Sequence, residues 1–66
     1  MRQLAPDTWE LATGSYDFHI RLEDGRFCID VFASDVTDAD AAHVDELEAD
    51  TLDEARQLCE QYSRAH

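Results

Sequence analysis

Tyr16-Asp17-Phe18-His19-Ile20-Arg21-Leu22-Glu23-Asp24-Gly25-Arg26-Phe27-Cys28-Ile29-Asp30-Val31-Phe32-Ala33 is the stretch that decides the fold. Apolar residues alternate with polar ones on both sides of Asp24-Gly25, the period of a strand with one covered face. Asp-Gly is the strongest short hairpin signal, because a type I′ turn needs positive φ at both central positions. Closing the chain there pairs Glu23 with Arg26, Leu22 with Phe27, Ile20 with Ile29 and Phe18 with Val31. One face is then wholly apolar. The other sets His19 opposite Asp30 and Arg21 opposite Cys28, and a slip of one residue would mix the two faces.

The same logic extends to both sides. Gly14-Ser15 closes a second hairpin that pairs Leu11 with Phe18 and Trp9 with Ile20, so Trp9 and Leu11 join the apolar face. Toward the C-terminus, Thr51-Leu52-Asp53-Glu54 reads as a capping box that opens a helix. Leu52, Ala55, Leu58, Cys59 and Tyr62 then recur at helical spacing and form one stripe. Asp53 and Glu54 suit the positive end of the helix dipole, and Arg64 the negative end. Ser34 to Asp50 has two readings. Leu47 and Ala49 alternate with Glu46 and Glu48, as in an edge strand over 43–49 after an acidic loop over 34–42. Alternatively, Ala41, Val44 and Leu47 share a helix face after a Thr37 cap. The strand reading is preferred. The expected fold is α+β, a single domain over 1–66, with an antiparallel sheet of three or four strands and one C-terminal helix on its apolar face. Cys28 falls on the face away from the helix and Cys59 on the helix face toward the sheet, so both are expected as free thiols.

Charge carries the functional reading. The chain has 66 residues, 16 Asp plus Glu, five Arg and no Lys, for a net charge of −11. Residues 1–34 hold six acids and three Arg, and residues 35–66 hold ten acids and two Arg, so the halves stand at −3 and −8. A small domain stays soluble with far less, and a single-sign field opposes compaction. Either a basic partner receives this charge or a salty solvent does. Binding to DNA, RNA or anionic lipid directly is disfavoured by its sign. No apolar run approaches the roughly 20 residues of a membrane span, and no signal-peptide core is present, so a cytoplasmic location is expected.

The segments Tyr16 to Leu22, Asp24-Gly25, Phe27 to Val31 and Asp50-Thr51-Leu52-Asp53-Glu54-Ala55 together resemble the small antitoxins of the HicB type. The likeness spans about 40 residues of this chain and departs at Ser34-Asp35-Val36-Thr37, where that family tends to carry Pro and Gly, and at Ala49 in place of a glycine. It implies a hairpin-loop-helix fold and the covering of a basic ribonuclease toxin. Size and acidity also resemble phage anti-CRISPR proteins that imitate nucleic acid, a likeness of profile that assigns no residue a role.

The search for chemistry yields little. There is no phosphate-binding Gly-rich loop and no Cys-x-x-Cys. His19 beside Asp30 reads first as a cross-strand ion pair, with an acid–base pair as the sharper alternative. Cys28 near Arg21 reads as a small half-buried residue or, alternatively, as an activated thiol. Asp35, Asp38 and Asp40 fail the calcium-loop pattern, because Ala42 and His43 fill the third-ligand and glycine positions. Zinc would need His19, His43, Cys28 and Cys59 to converge from different faces. The expectation is no enzyme, no cofactor and no metal. What stands out is a run of carboxylates: Asp35, Asp38, Asp40, Asp45, Glu46, Glu48, Asp50, Asp53 and Glu54. Phe32 falls on the polar face, either covered by Leu4-Ala5-Pro6 or serving as an apolar anchor within an acidic interface. These ten residues are the expected contact surface for a basic nucleic-acid-binding protein, such as a CRISPR effector subunit or a toxin. The expected function is inhibition by mimicry of DNA or RNA, by a monomer or weak dimer. The alternatives are a HicB-like antitoxin and a halophilic domain.

Overall fold

A computed structural model describes residues 1–65, with Ala39 as backbone alone; His66, the end of the expected domain, lies outside the described residues. The chain forms β1 (Arg2–Ala5), β2 (Thr8–Thr13), β3 (Tyr16–Glu23), β4 (Arg26–Ala33), α1 (Ala39–Ala42), β5 (His43–Ala49) and α2 (Leu52–Ala65). The strands make one antiparallel sheet in the order β1-β2-β3-β4-β5. The class is α+β with a single C-terminal helix, and the sheet has five strands rather than three or four. The additional strand is β1. Its four residues do not alternate, so only pairing reveals it: Arg2 faces Glu10 and Gln3 faces Trp9.

The central register is the expected one, from Glu23↔Arg26 through Ile20↔Ile29 to Phe18↔Val31. Positive φ falls at Asp24 (51°) and Gly25 (78°), as a type I′ turn requires. The β2–β3 turn has positive φ at Gly14 (62°), where a two-residue loop joins Thr13 to Tyr16. Leu11↔Phe18 and Trp9↔Ile20 also match expectation.

β5 occupies the expected residues 43–49. The acidic segment before it is not wholly loop, since one helical turn spans Ala39–Ala42. Asp38, rather than Thr37, opens that turn. Its carboxylate accepts from Asp40 N at 3.1 Å and its carbonyl from Ala42 N at 2.8 Å.

α2 lies on the apolar face. Thr51 Oγ1 accepts from Glu54 N at 3.1 Å, which forms the hydroxyl half of the capping box. Ala55 and Cys59, both fully buried, are small residues on the helix face against the sheet and allow close approach. Beneath them Phe18, Ile20, Ile29 and Val31 are fully buried, with Trp9, Leu11, Tyr16, Phe27, Leu47, Leu52, Leu58 and Tyr62 packed around. Burying each of the four central side chains is worth about 1.5–3 kcal/mol. Leu22, which alternation assigns to this core, is 37% exposed. The β2–β3 ladder stops at Thr8↔Arg21, one pair short of it, so no β2 side chain flanks Leu22. Both cysteines are free, Cys59 buried and Cys28 half-buried. Burial pushes the Cys59 thiol up to about 11. Among the described residues no helix is long and apolar enough to cross a membrane.

Candidate functional site

The acidic residues gather along the β5 side of the molecule. The 34–42 segment leads into β5, β5 is the outer strand of the sheet, and Asp50-Thr51 turns directly into α2. Asp35, Asp38, Asp40, Asp45, Glu46, Glu48, Asp50, Asp53 and Glu54 are all exposed. At about 3.3 Å per residue, the strand spreads Asp45 to Asp50 over roughly 17 Å. Four carboxylates in that length is the same order of charge spacing as one nucleic-acid strand, about one per 3.4 Å.

These groups are not equivalent. Glu48 pairs with Arg26 at 3.0 Å, and Asp53 with Arg56 at 3.0 Å. Among the described residues, no ion pair engages Asp35, Asp38, Asp40, Asp45, Asp50 or Glu54. Glu46 and Glu48 stand on the open sheet face opposite Asp30 and Cys28. Asp45 pairs with Val31 and so lies on the helix side. There it adjoins Tyr62, whose phenol is held above its usual range by burial and then by the charge of this carboxylate. Asp45 therefore has a structural partner in α2. Asp53 and Glu54 sit in the first turn of α2, where the helix dipole favours them.

Phe32 is half-buried on the open face, but the N-terminal segment does not cover it. β1 lies at the far edge of the sheet, with β2 and β3 between it and β4. Two histidine rings flank Phe32 instead, His19 with ring centroids 5.2 Å apart and His43 at 5.3 Å. His19 stands opposite Asp30 as the register requires, yet the Asp30 carboxylate turns elsewhere. Its Oδ2 lies 3.4 Å from Arg21 and its Oδ1 3.3 Å from His43 Nε2. Cys28 Sγ points to Glu23 Oε2 at 4.0 Å.

Sequence reasoning missed the neighbourhood of His43. In a regular strand His43 and Glu46, three apart, would face opposite ways. The register shifts here: Val31 pairs with Asp45, but Phe32 pairs with His43. Val44 is the extra residue of a bulge, and it is 49% exposed. The bulge puts His43 on the same face as Asp30 and Glu46, and one donor atom from each of the three lies within 4.8 Å of the others. Beside them is a shallow depression of about 420 Å³, lined by Arg21, Glu23, Cys28, Asp30, Glu46 and Glu48 among others. His19, His43, Cys28 and Cys59 do not converge, because Cys59 faces the sheet from α2, on the side opposite the other three. Compared with known proteins, the chain matches no family model, no curated protein and no solved structure.

Proposed function

We propose that this protein is an acidic inhibitor that occupies a basic, nucleic-acid-handling surface of a partner protein in place of DNA or RNA, most concretely as a phage anti-CRISPR. The observation that carries the reading is the band of exposed carboxylates from Asp35 to Glu54, most of them without a cationic partner among the described residues. Helix ends and ion pairs account for Asp38, Glu48, Asp53 and Glu54, but the band as a whole opposes compaction, since like charges on one edge repel. A Lys/Arg groove built for phosphates gains a ready counter-charge and fast, steered association. The mode is stoichiometric binding. An antitoxin that covers a basic ribonuclease would rest on the same physics.

The test compares two sets of four neutral variants. One set is Asp35→Asn, Glu48→Gln, Asp50→Asn and Glu54→Gln; it leaves Asp45 to its tyrosine and Glu46 untouched. The other is Glu10→Gln, Asp17→Asn, Glu23→Gln and Asp24→Asn on the meander. A partner captured from host lysate at low salt is titrated with each, in competition with its own DNA or RNA. The band set should weaken binding at least tenfold and flatten its salt dependence, and the meander set should change it little. Equal effects from the two sets would overturn the site. A partner that holds this protein and nucleic acid together would overturn mimicry. The absence of Lys and the presence of ten Asp also suit a surface solvated in high salt. A protein that melts cooperatively only near molar salt would favour that second reading.

A further inference from the structure

We propose that Asp30, His43 and Glu46 form a binding site for a divalent transition-metal ion of the zinc class. The donor set is one imidazole nitrogen and two carboxylates, a mixture that suits such an ion better than calcium or magnesium, which prefer oxygen alone. The spacing also fits. Two ligand atoms about 2.0–2.1 Å from a tetrahedral zinc lie roughly 3.3–3.4 Å apart. His43 Nε2 stands 3.3 Å from Asp30 Oδ1 and 3.8 Å from Glu46 Oε1. The first contact is longer than the roughly 2.7–2.9 Å of a charge-assisted hydrogen bond, yet it is the separation that shared coordination demands. The second closes by a small movement of Glu46, whose side chain is 75% exposed.

The surroundings hold two of the three ligands. Phe32 lies against the His43 ring, and Arg21 holds the other Asp30 oxygen, Oδ2, leaving Oδ1 turned to the site. Such outer partners orient metal ligands and are a regular part of working sites. The side chains of Asp30 and His43 are only 22% and 33% exposed, so both are partly withdrawn from solvent. The depression beside Asp30 and Glu46 leaves room for a fourth ligand, water or an exogenous donor. The net charge of −11 adds a long-range attraction for any cation, which is why the test must separate a specific ion from a diffuse one. This site stands independently of the proposed function, because its test needs no partner protein.

The experiment titrates the purified chain with Co(II) and then Zn(II), in a large excess of Mg(II) to saturate diffuse binding. Co(II) reports through its visible absorption, which intensifies in a four-coordinate site. One equivalent should bind, and zinc should displace it. His43→Gln and Glu46→Gln, each checked for folding by circular dichroism, should lose at least the roughly 10–100-fold in affinity that removing an outer partner of a ligand costs. The charge-matched control Asp24→Asn, on the hairpin turn, should lose less than about threefold, the diffuse contribution of one distant charge. The proposal is overturned if cobalt gives no intensified band, if magnesium abolishes binding, or if the control loses as much as the ligand variants.

Discussion

Replacing Gly14 by alanine tests how the C-terminal helix is tied to the sheet. Gly14 closes the β2–β3 turn at φ 62°, and a Cβ there would run into Ser63 Oγ of α2. That hydroxyl donates to the Thr13 carbonyl at 3.1 Å, joining the last turn of the helix to the start of the hairpin loop. An L-residue held in the left-handed region costs about 1–2 kcal/mol. Turning Ser63 away forfeits its hydrogen bond, about 1 kcal/mol more. Gly14→Ala should therefore destabilise by about 2–3 kcal/mol, against a total of roughly 3–10 kcal/mol for a domain of this length. Gly25 supplies the control. Its φ is 78°, but nothing lies within 4 Å of the place a Cβ would take, so Gly25→Ala should cost only the conformational part, about 1–2 kcal/mol. Urea denaturation of Gly14→Ala, Gly25→Ala, Ser63→Ala and Gly14→Ala/Ser63→Ala gives the cycle. Ser63→Ala alone should cost about 1 kcal/mol, and the double variant little more than Gly14→Ala, a coupling of about 1 kcal/mol. If the two glycine variants cost the same, or if the costs simply add, the helix does not meet the turn as described.

Ile20→Ala, at a fully buried position, should cost about 2–5 kcal/mol, whereas Leu22→Ala, 37% exposed at the end of the ladder, should cost about 1 kcal/mol; thermal melts resolve the difference. Cys28 should react with a thiol reagent near pH 8 while Cys59 stays protected until the protein opens, which mass spectrometry of the labelled peptides would show. Because the folded Cys59 thiol is raised from 9.0 to about 11, its contribution is complete below pH 9 and is lost as pH rises toward 11. Tyr62 is shifted in the same direction, so Cys59→Ala should reduce the alkaline loss of stability in denaturant titrations without abolishing it.

Most of the sheet is legible in the sequence because its signals agree at several levels. Asp24-Gly25 sets a register, that register sorts the apolar side chains to one face, and Gly14-Ser15 extends the sorting to Trp9 and Leu11. The Thr51 cap and the Leu52-to-Tyr62 stripe place the helix by independent rules. The features that escape lack a local signal. Arg2–Ala5 is a strand only by virtue of its neighbour. The position of Phe32 between two histidines depends on strand order rather than on alternation. Above all, period-two reading assumes constant parity along a strand, and the bulge at Val44 changes it. That single extra residue brings His43 beside Asp30, whereas Asp45 keeps the parity of Leu47 and Ala49 and so stays on the helix side with Tyr62. The carboxylate run is visible as composition, but its division between an open edge and structural partners is not.

The two outer strands carry a further consequence. An open sheet ends in rows of unpaired backbone groups, which invite another sheet to continue it. Here β1 is only four residues long and its pairing is irregular between Gln3 and Ala5. β5 is longer, but Val44 distorts it and Asp45, Glu46 and Glu48 charge it. At neutral pH, two copies meeting along β5 would bring like charges together. Near the isoelectric point of about 4.2 that repulsion fades, and the Val44–Ala49 edge is left with its bulge alone. Mild acid, near that isoelectric point, is therefore the condition under which this chain should precipitate or grow fibrils, and neutral buffer, where its net charge is −11, is the one in which it should remain dispersed.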